Sequence, residues 1–288
     1  FYEDDVITFG AALRGGDFRD EPLYEPRPDG LTYTVARRGE PIVVPDMQHH
    51  ALYSGAPVDW EGAIVGLPLQ IGGRVVGVMS VSYLEPRRFS DTELRVLRLL
   101  ADQAAIAIEN ARLFHSEQRQ TRRLALLADV ARIVATTLDT SEMLQAVPEA
   151  IHRYFGYPSV MVFLPDKVEE ALVLQGYGGI FTGPPEVDAP GDYRQPIDVG
   201  IVGHVVRTGE SYLADDVSDD PYHYAPEEVV VRSEVCVPIR DEGRLIGAID
   251  VESERLSDFG EQDRSLLEAV ADTVAVGLRN ARLFDEAH

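Results

Sequence analysis

The chain has 288 residues and carries 49 acidic against 26 basic side chains, for a formal charge of −23 and a pI near 4.6. Such a charge repels phosphate backbones and anionic lipid, which argues against nucleic acid and the membrane surface as partners. The single cysteine, Cys236, forbids an intrachain disulfide and suits a reducing, cytoplasmic compartment, and no apolar run approaches the roughly eighteen residues of a membrane span.

In chain order, Val6 to Leu13 reads as a strand, followed by a loop rich in Gly, Pro and acids to about Pro28. Gly30 to Arg38 is amphipathic and helix-like, with Gly39 as its stop. Pro41 to Val44 is a short apolar strand ending at Asp46, and His49 to Gly62, which carries Tyr53 and Trp60, has no clear period. A hairpin follows, from Ala63 to Gln70 and from Arg74 to Tyr83 around a Gly72-Gly73 turn. Ser90 to about Asp139 contains neither Pro nor Gly. Ser90 suits an N-cap, and Asp91 and Glu93 suit the positive end of a helix dipole. Leu97, Ala101, Ala104, Ile108 and Ala111 alternate spacings of four and three, a narrow seam expected to meet a twin helix, and Leu267 to Leu278 is its counterpart. The seam turns polar from His115 to Arg123 and resumes at Leu124, Leu127, Ala131, Val134 and Leu138. A continuous helix of this length spans roughly 75 Å at about 1.5 Å per residue and reads as a rod that closes one domain and opens the next.

Beyond the rod, Leu144, Val147, Ile151 and Phe155 mark a helix ended by Gly156-Tyr157-Pro158. Strands are predicted at Ser159 to Leu164 and Leu172 to Gln175, then a loop from Gly178 to Pro196. A helix at Gly200 to Arg207, a strand at Tyr212 to Ala214, an acidic segment from Asp215 to Glu228, a hairpin from Glu234 to Ser253 and a last helix within Phe259 to Phe284 complete the chain.

A shift of 170 residues superposes the two halves without a gap, from Gly30 on Gly200 through Arg37 on Arg207, Asp46 on Asp216 and Gly77 on Gly247, to Asn110-Ala-Arg-Leu-Phe114 on Asn280-Ala-Arg-Leu-Phe284. Unrelated stretches agree at only about one position in fifteen or twenty. Two α+β domains of one fold are therefore expected, each built on an antiparallel sheet: residues 1–114, a helical linker at 115–123, and 124–288. The first copy lacks the opening helix and most of the first strand of the second, so the chain reads as a fragment of a longer protein.

In the second hairpin, Val235, Val237, Ile239, Ile249 and Val251 share one face, expected beneath the first and last helices of that domain. Burying each contributes roughly 1.5–3 kcal/mol. The opposite face carries Glu234, Asp250 and Glu252, whose counterparts in the first copy are the uncharged Ile64, Ser80 and Ser82. Roofed by the short helix and loops, that face is a natural small-molecule pocket. The candidate site in the second domain comprises the three acids, His204 on the short helix, and Asp216, Tyr222 and Tyr224, with His223, on the roofing loop. The first domain is expected to have an apolar pocket floored by Ile64, Val76 and Val78, with Tyr53 and Trp60 near its roof. Carboxylates crowded in a partly dry pocket repel one another, so at least one should hold a proton more tightly than a model acid, and a ligand bearing an ammonium is favoured over an anion. In the plainer alternative the acids face solvent at the sheet end.

The strings GIVGHVVRTGESYLADDVSDDPYHY, SEVCVPI, GRLIGAIDVES and DFGEQDRSLLEAVADTVAVGLRNARLF resemble the GAF family of sensory domains. So do GLTYTVARRGEPIVVPDM, VGLPLQIGGRVVGVMSV and FSDTELRVLRLLADQAAIAIENARLF in the first copy. The resemblance implies a PAS-like antiparallel sheet of five or six strands, a ligand pocket opposite the terminal helices, and dimers formed through helical bundles. It also implies a place upstream of an output domain, often a histidine kinase, cyclase or phosphatase. The family's cyclic-nucleotide binders carry an Asn-Lys pair where this chain has Ser82-Tyr83 and Glu252-Ser253, so the salt bridge of that motif cannot form. Bilin attachment needs a cysteine at the pocket mouth, whereas Cys236 lies inside a hairpin strand, and a haem would need an axial histidine, for which His204 is best placed. The acids resemble the substrate-holding acids of GAF-type free methionine sulfoxide reductases, but those enzymes exchange thiols through pocket cysteines that Cys236 does not match. The resulting expectation is a non-enzymatic sensory module without a cofactor, binding a small molecule and dimerising through its long helices. A dimerisation scaffold with vestigial pockets is the alternative, and a reductase-like enzyme comes third.

Overall fold

The computed structural model describes residues 1–15, 17–19, 21–22, 25–54, 60–137, 139–166, 168–180, 190–224 and 230–286, in two compact units, Phe1–Ser116 and Glu117–His288. Leu138 and parts of the predicted segments 49–62, 178–196 and 215–228 lie outside them.

Unit 1 begins with two small hairpins, β1 (Tyr2–Glu3) with β2 (Val6–Ile7) and β3 (Ala12–Arg14) with β4 (Asp17–Arg19). The expected strand from Val6 to Leu13 is therefore broken. Asp4 and Asp5, both at positive φ, close a two-residue turn that spends Val6 and Ile7 on β1. Helix α1 (Leu31–Arg38) stops at Gly39, and β5 (Ile42–Val44), β6 (Ala63–Ile71) and β7 (Arg74–Tyr83) form an antiparallel sheet in that order. Helix α2 (Asp91–Thr136) is 46 residues long. It starts at a capping box in which the Ser90 N–H donates to Glu93 Oε2 and the Glu93 N–H donates to Ser90 Oγ.

Unit 2 continues with α3 (Thr140–Phe155), capped by Asp139, then β8 (Ser159–Asp166), β9 (Ala171–Gly179), β10 (Arg194–Pro196), α4 (Gly200–Thr208), β11 (Tyr212–Ala214), β12 (Ser233–Asp241), β13 (Arg244–Ser253) and α5 (Glu261–Glu286). Its strands make one six-stranded antiparallel sheet in the order β10-β9-β8-β13-β12-β11. The stretch expected to be loop up to Pro196 thus contributes both the end of β9 and an edge strand, β10. Backbone pairing of Arg194, Gln195 and Pro196 with Val173, Leu172 and Ala171 recruits it without any local β-signal.

The internal repeat is a repeat of pairing. Val43 faces Val65 as Leu213 faces Val235, and Leu67 faces Met79 as Val237 faces Ile249. The bulge between Leu69 and Gln70 recurs between Ile239 and Arg240. That bulge corrects one expectation. An extra residue in the ladder reverses the alternation, so Val76 joins Val65, Leu67, Leu69, Ala101 and Ala105 on the α2 side of the sheet, not the pocket floor.

The seam on α2 also has a different partner from the one expected. Leu97, Ala101, Ala104 and Ile108 pack on unit 1's own sheet, and Leu267, Ala271, Val274 and Leu278 belong to the core of unit 2. The outward face of α2 carries Val96, Leu99, Leu100, Ile106, Leu113 and Phe114 instead. Val96 and Leu100 are 51% and 53% exposed, whereas Leu266 and Val270, 170 residues on, are 2% and 0% exposed. In unit 2 those positions are covered by α3 and by Leu126, Val130 and Ile133 of α2.

One layer of unit 2 is a core of Val235, Val237, Ile239, Ile249 and Val251 under α3 and α5, as their alternation requires. On the other face, Met161, Phe163, Leu172, Leu174, Cys236 and Ala248 meet Ile201, Val202 and Val205 of α4. Among the described residues, no helix is long and apolar enough to cross a membrane. Helix α3 lies directly on β9. A Cβ at Gly176 would stand 2.3 Å from the Leu144 carbonyl oxygen, and one at Gly178 would stand 2.2 Å from that of Pro148. Backbone cannot yield as a flexible side chain can, so Gly176→Ala is expected to destabilise unit 2 by about 1–3 kcal/mol, lowering the melting temperature by roughly 2–12 °C. Calorimetric melting of the whole chain checks this, and an unchanged transition would refute the close approach of α3.

Candidate functional site

Register places the acids. In the β12–β13 ladder Glu234 faces Glu252 and Cys236 faces Asp250; across β13 and β8, Glu252 faces Ser159 and Asp250 faces Met161. Residues directly opposite one another share a face, so Glu234, Glu252 and Ser159 form one row, and Cys236, Asp250 and Met161 the next. The acids do not face solvent: Glu234, Asp250 and Glu252 are 4%, 2% and 8% exposed. The two rows are adjacent, so the three carboxyls and the Cys236 thiol crowd together on one face. His223 Nδ1 lies 3.3 Å from Glu234 Oε2. Two fully buried side-chain oxygens on this face, Asp250 Oδ1 and Ser159 Oγ, have no hydrogen-bond partner.

Burial pushes Glu234 well above the usual carboxylate range, and the neighbouring charge of Glu252 adds to the shift. Asp250 is raised by burial first and then by Glu234 and Glu252. Cys236 is likewise raised, by burial and then by Asp250, so its thiol stays protonated. Burial lowers His223 against the opposing pull of Glu252 and Asp220. Tyr193, just ahead of β10, is pushed up to about 12 by burial and then by Tyr224, Glu252 and Asp250. Its hydroxyl donates to Gln195 Oε1 at 3.1 Å, and Gln195 Nε2 donates to the Val199 carbonyl at the start of α4, also at 3.1 Å. The edge strand thereby fixes a tyrosine beside the acids. Among the described residues, no group of three or more His, Cys, Asp or Glu is arranged to hold a metal ion.

The other predicted residues divide. The His204 ring stacks on Tyr222 at 3.9 Å and meets Tyr212 edge-on at 5.2 Å, so it belongs to an aromatic stack. Tyr224 is exposed, with its Cβ near Gly200 at the start of α4. Asp216 does not line the pocket: it is exposed and accepts hydrogen bonds from the N–H and hydroxyl of Ser218, which makes it a turn former. Ser159 and Tyr193 were not foreseen. Ser159 needed the β8–β13 register, and Tyr193 sits in a stretch that reads as loop.

In unit 1, Ile64 and Val78 pack with Leu31, Val35, Val44 and Met47. Helix α1 presses onto the sheet at Gly66, the counterpart of Cys236, where a Cβ would stand 2.9 Å from Val35 Cγ2 and 3.2 Å from Leu31 Cγ. Tyr53 and Trp60 lie with ring centroids 5.9 Å apart, and burial raises Tyr53 to about 12. This face is filled by its own apolar side chains, and among the described residues none of the unpartnered buried side-chain atoms belongs to it.

A family model described as GAF domain matches residues 1–109 and 137–279. The dual 3',5'-cyclic-AMP and -GMP phosphodiesterase 11 of Drosophila melanogaster is 25% identical over 276 residues, 90% of this chain and 19% of that protein. The protein YtsP of Bacillus subtilis is 30% identical over 89 residues, 31% of this chain and 54% of that one. The chain thus spans about a fifth and about half of the lengths of these two relatives. Among solved structures, the free methionine-R-sulfoxide reductase from Neisseria meningitidis, in complex with its substrate, is 26% identical with a TM-score of 0.50, covering 56% of this chain and 91% of that one. The GAF domain of a phosphoenolpyruvate-protein phosphotransferase from Coxiella burnetii, 18% identical with a TM-score of 0.52 over 58% of this chain and 98% of that one, shares the fold.

The raised carboxyls have a consequence for stability. An acid whose pKa is higher folded than unfolded contributes stability that is fully present below its unfolded pKa and is lost as pH rises through its folded pKa. Asp250 and Glu234 are such acids. Asp250→Asn keeps the shape and removes the charge, so it is expected to raise the melting temperature by several degrees at pH 8 (roughly 2–4 °C per kcal/mol) and by much less at pH 5. Thermal unfolding at the two pH values checks the sign; a variant less stable at pH 8 than at pH 5, relative to the parent, would contradict it.

Proposed function

Because the chain belongs to the GAF domain family of signalling and ligand-binding modules, we propose that it is a non-enzymatic tandem sensor whose second unit binds a small molecule through an ammonium group. The observation that carries this reading is the pair of unpartnered buried oxygens, Asp250 Oδ1 and Ser159 Oγ, among three buried acids. A buried polar atom without a partner costs about 1–3 kcal/mol, and an N–H donor on a cation relieves it. Likeness to the Neisseria reductase supports an amino-acid-like ligand. Its chemistry does not carry over, because Cys236, the chain's one cysteine, is buried and held as a thiol. A cyclic nucleotide would bring a phosphate against like charge, so likeness to the phosphodiesterase is read as common fold and arrangement.

In this reading 1–114 and 124–288 are two GAF domains joined by a helical linker at 115–123, and the module works in the cytoplasm upstream of an effector such as a histidine kinase. The outward face of α2 supports a homodimer through long helices, with Val96, Leu99, Leu100, Ile106, Leu113 and Phe114 as the seam in place of Ala101 and Ala104. The apolar filling of unit 1 favours a second reading for that unit alone, a dimerisation scaffold that binds nothing.

Titration calorimetry of the whole chain with free amino acids, their N-acetyl derivatives and cyclic nucleotides tests the proposal. A free ammonium is expected to bind at least tenfold more tightly than its acetylated form, and Asp250→Asn to weaken it roughly 10- to 100-fold. Tighter binding of a cyclic nucleotide than of any amine would sink the assignment. For the dimer, light scattering at tens of micromolar should show a dimer that Leu99→Glu with Phe114→Glu converts to monomer. A monomeric parent would dispose of the seam.

A further inference from the structure

We infer that the acidic site of unit 2 takes up its ammonium ligand in exchange for a proton, so that occupancy reports ligand and pH together. This rests on the ammonium reading above and adds a stoichiometry to it. Glu234, Asp250 and Glu252 lie side by side on adjacent strands and are 4%, 2% and 8% exposed. Carboxylates crowded together out of water lose hydration and repel one another, so the cluster cannot be fully ionised. At least one of the three carboxyls therefore carries a proton before an amine binds.

The surroundings leave that proton as the charge-balancing species. Glu252 on β13 and Asp220 on the loop after β11 add negative charge to Glu234, and Cys236 on β12, opposite Asp250 in the ladder, stays a protonated thiol. From the same loop comes His223, whose burial disfavours its charged form. Tyr193 lies near Glu252 and Asp250, and burial keeps its phenol protonated. Among the described residues, no Lys or Arg offsets the upward shift of Glu234 or Asp250.

An ammonium donating to Asp250 Oδ1 brings a full positive charge into the buried cluster. The attraction that held the proton is then satisfied by the ligand, as an adjacent cation lowers a carboxyl pKa. The step balances as follows: the ammonium enters with its hydrogens and charge, one carboxyl O–H bond within the cluster breaks, and that proton leaves to solvent buffer as N–H···O bonds form. No covalent bond of the ligand changes. Ser159 Oγ, the other unpartnered atom, accepts a further N–H or donates to a polar atom of the ligand.

Calorimetry of the whole chain with L-methionine and with n-butylamine, in phosphate and in Tris at one pH, counts the protons from the difference in observed enthalpy. About one proton released per ligand is expected, with affinity rising up to about tenfold per pH unit between pH 5 and 7, where both amines stay charged. Asp250→Asn should bind more weakly and release none. An infrared difference spectrum supplies an independent reading: the C=O band of a protonated carboxyl should be lost when L-methionine is added to the parent protein. Binding with no proton release and no loss of that band overturns the exchange while leaving the ammonium site standing. Failure of both amines to bind at any pH overturns both.

Discussion

The antiparallel ladder of β12, β13 and β8 holds three carboxyl groups out of reach of water, and the chemistry of unit 2 depends on its register. A slip of one residue would send Val235 and Val251 into the pocket and drive Glu234 and Glu252 into the layer beneath α3 and α5. The apolar face prevents that slip, since each buried Val or Ile there is worth roughly 1.5–3 kcal/mol. The hydrophobic layer thus supports an arrangement that is costly by itself, because acids without compensating cations lose hydration and repel one another. Burial and mutual repulsion hold Glu234 and Asp250 towards their protonated forms, which lowers that cost, and the Asp250 Oδ1 and Ser159 Oγ atoms remain without a hydrogen-bond partner.

The two units show the same framework with opposite fillings. Where unit 2 has Cys236, unit 1 has Gly66, and α1 uses the space to set Val35 and Leu31 against the strand. Where unit 2 has Glu234, unit 1 has Ile64, which joins that apolar cluster. Asp250 and Glu252 lie on β13, which pairs with β8 on its far side; their counterparts Ser80 and Ser82 lie on β7, the end strand of the described three-stranded sheet, and are exposed. A few substitutions at equivalent register positions turn a polar, under-satisfied face into a packed apolar layer. On the reading proposed above, recognition falls to unit 2 and structural work to unit 1.

Much of this was legible from alternation and period alone. The apolar and acidic faces of the second hairpin followed from strand side chains changing face at every residue, and the 170-residue repeat carried the same pattern into the first. Three features escaped for physical reasons. A bulge reverses face without any change in residue type, which moved Val76 to the helix side. Small residues on a helix suit a sheet as well as a twin helix, so Ala101 and Ala104 read as a dimer seam when they pack on unit 1's own strands. The partners of the acids came from far along the chain: Ser159 arrives through the β8–β13 pairing, and Tyr193 through an edge strand whose sequence contains a proline and no β-branched residue.

The central claim is that the buried acids of unit 2 form a seat for an ammonium and that the matching face of unit 1 does not. An electron-density map of the chain crystallised with an amino acid tests it most directly. The account predicts ligand density with its nitrogen within hydrogen-bond distance of Asp250 Oδ1, and none between α1 and Ile64. Density among Leu31, Val35 and Ile64, or a ligand in unit 2 whose carboxylate rather than its ammonium meets Glu234 and Asp250, would contradict it.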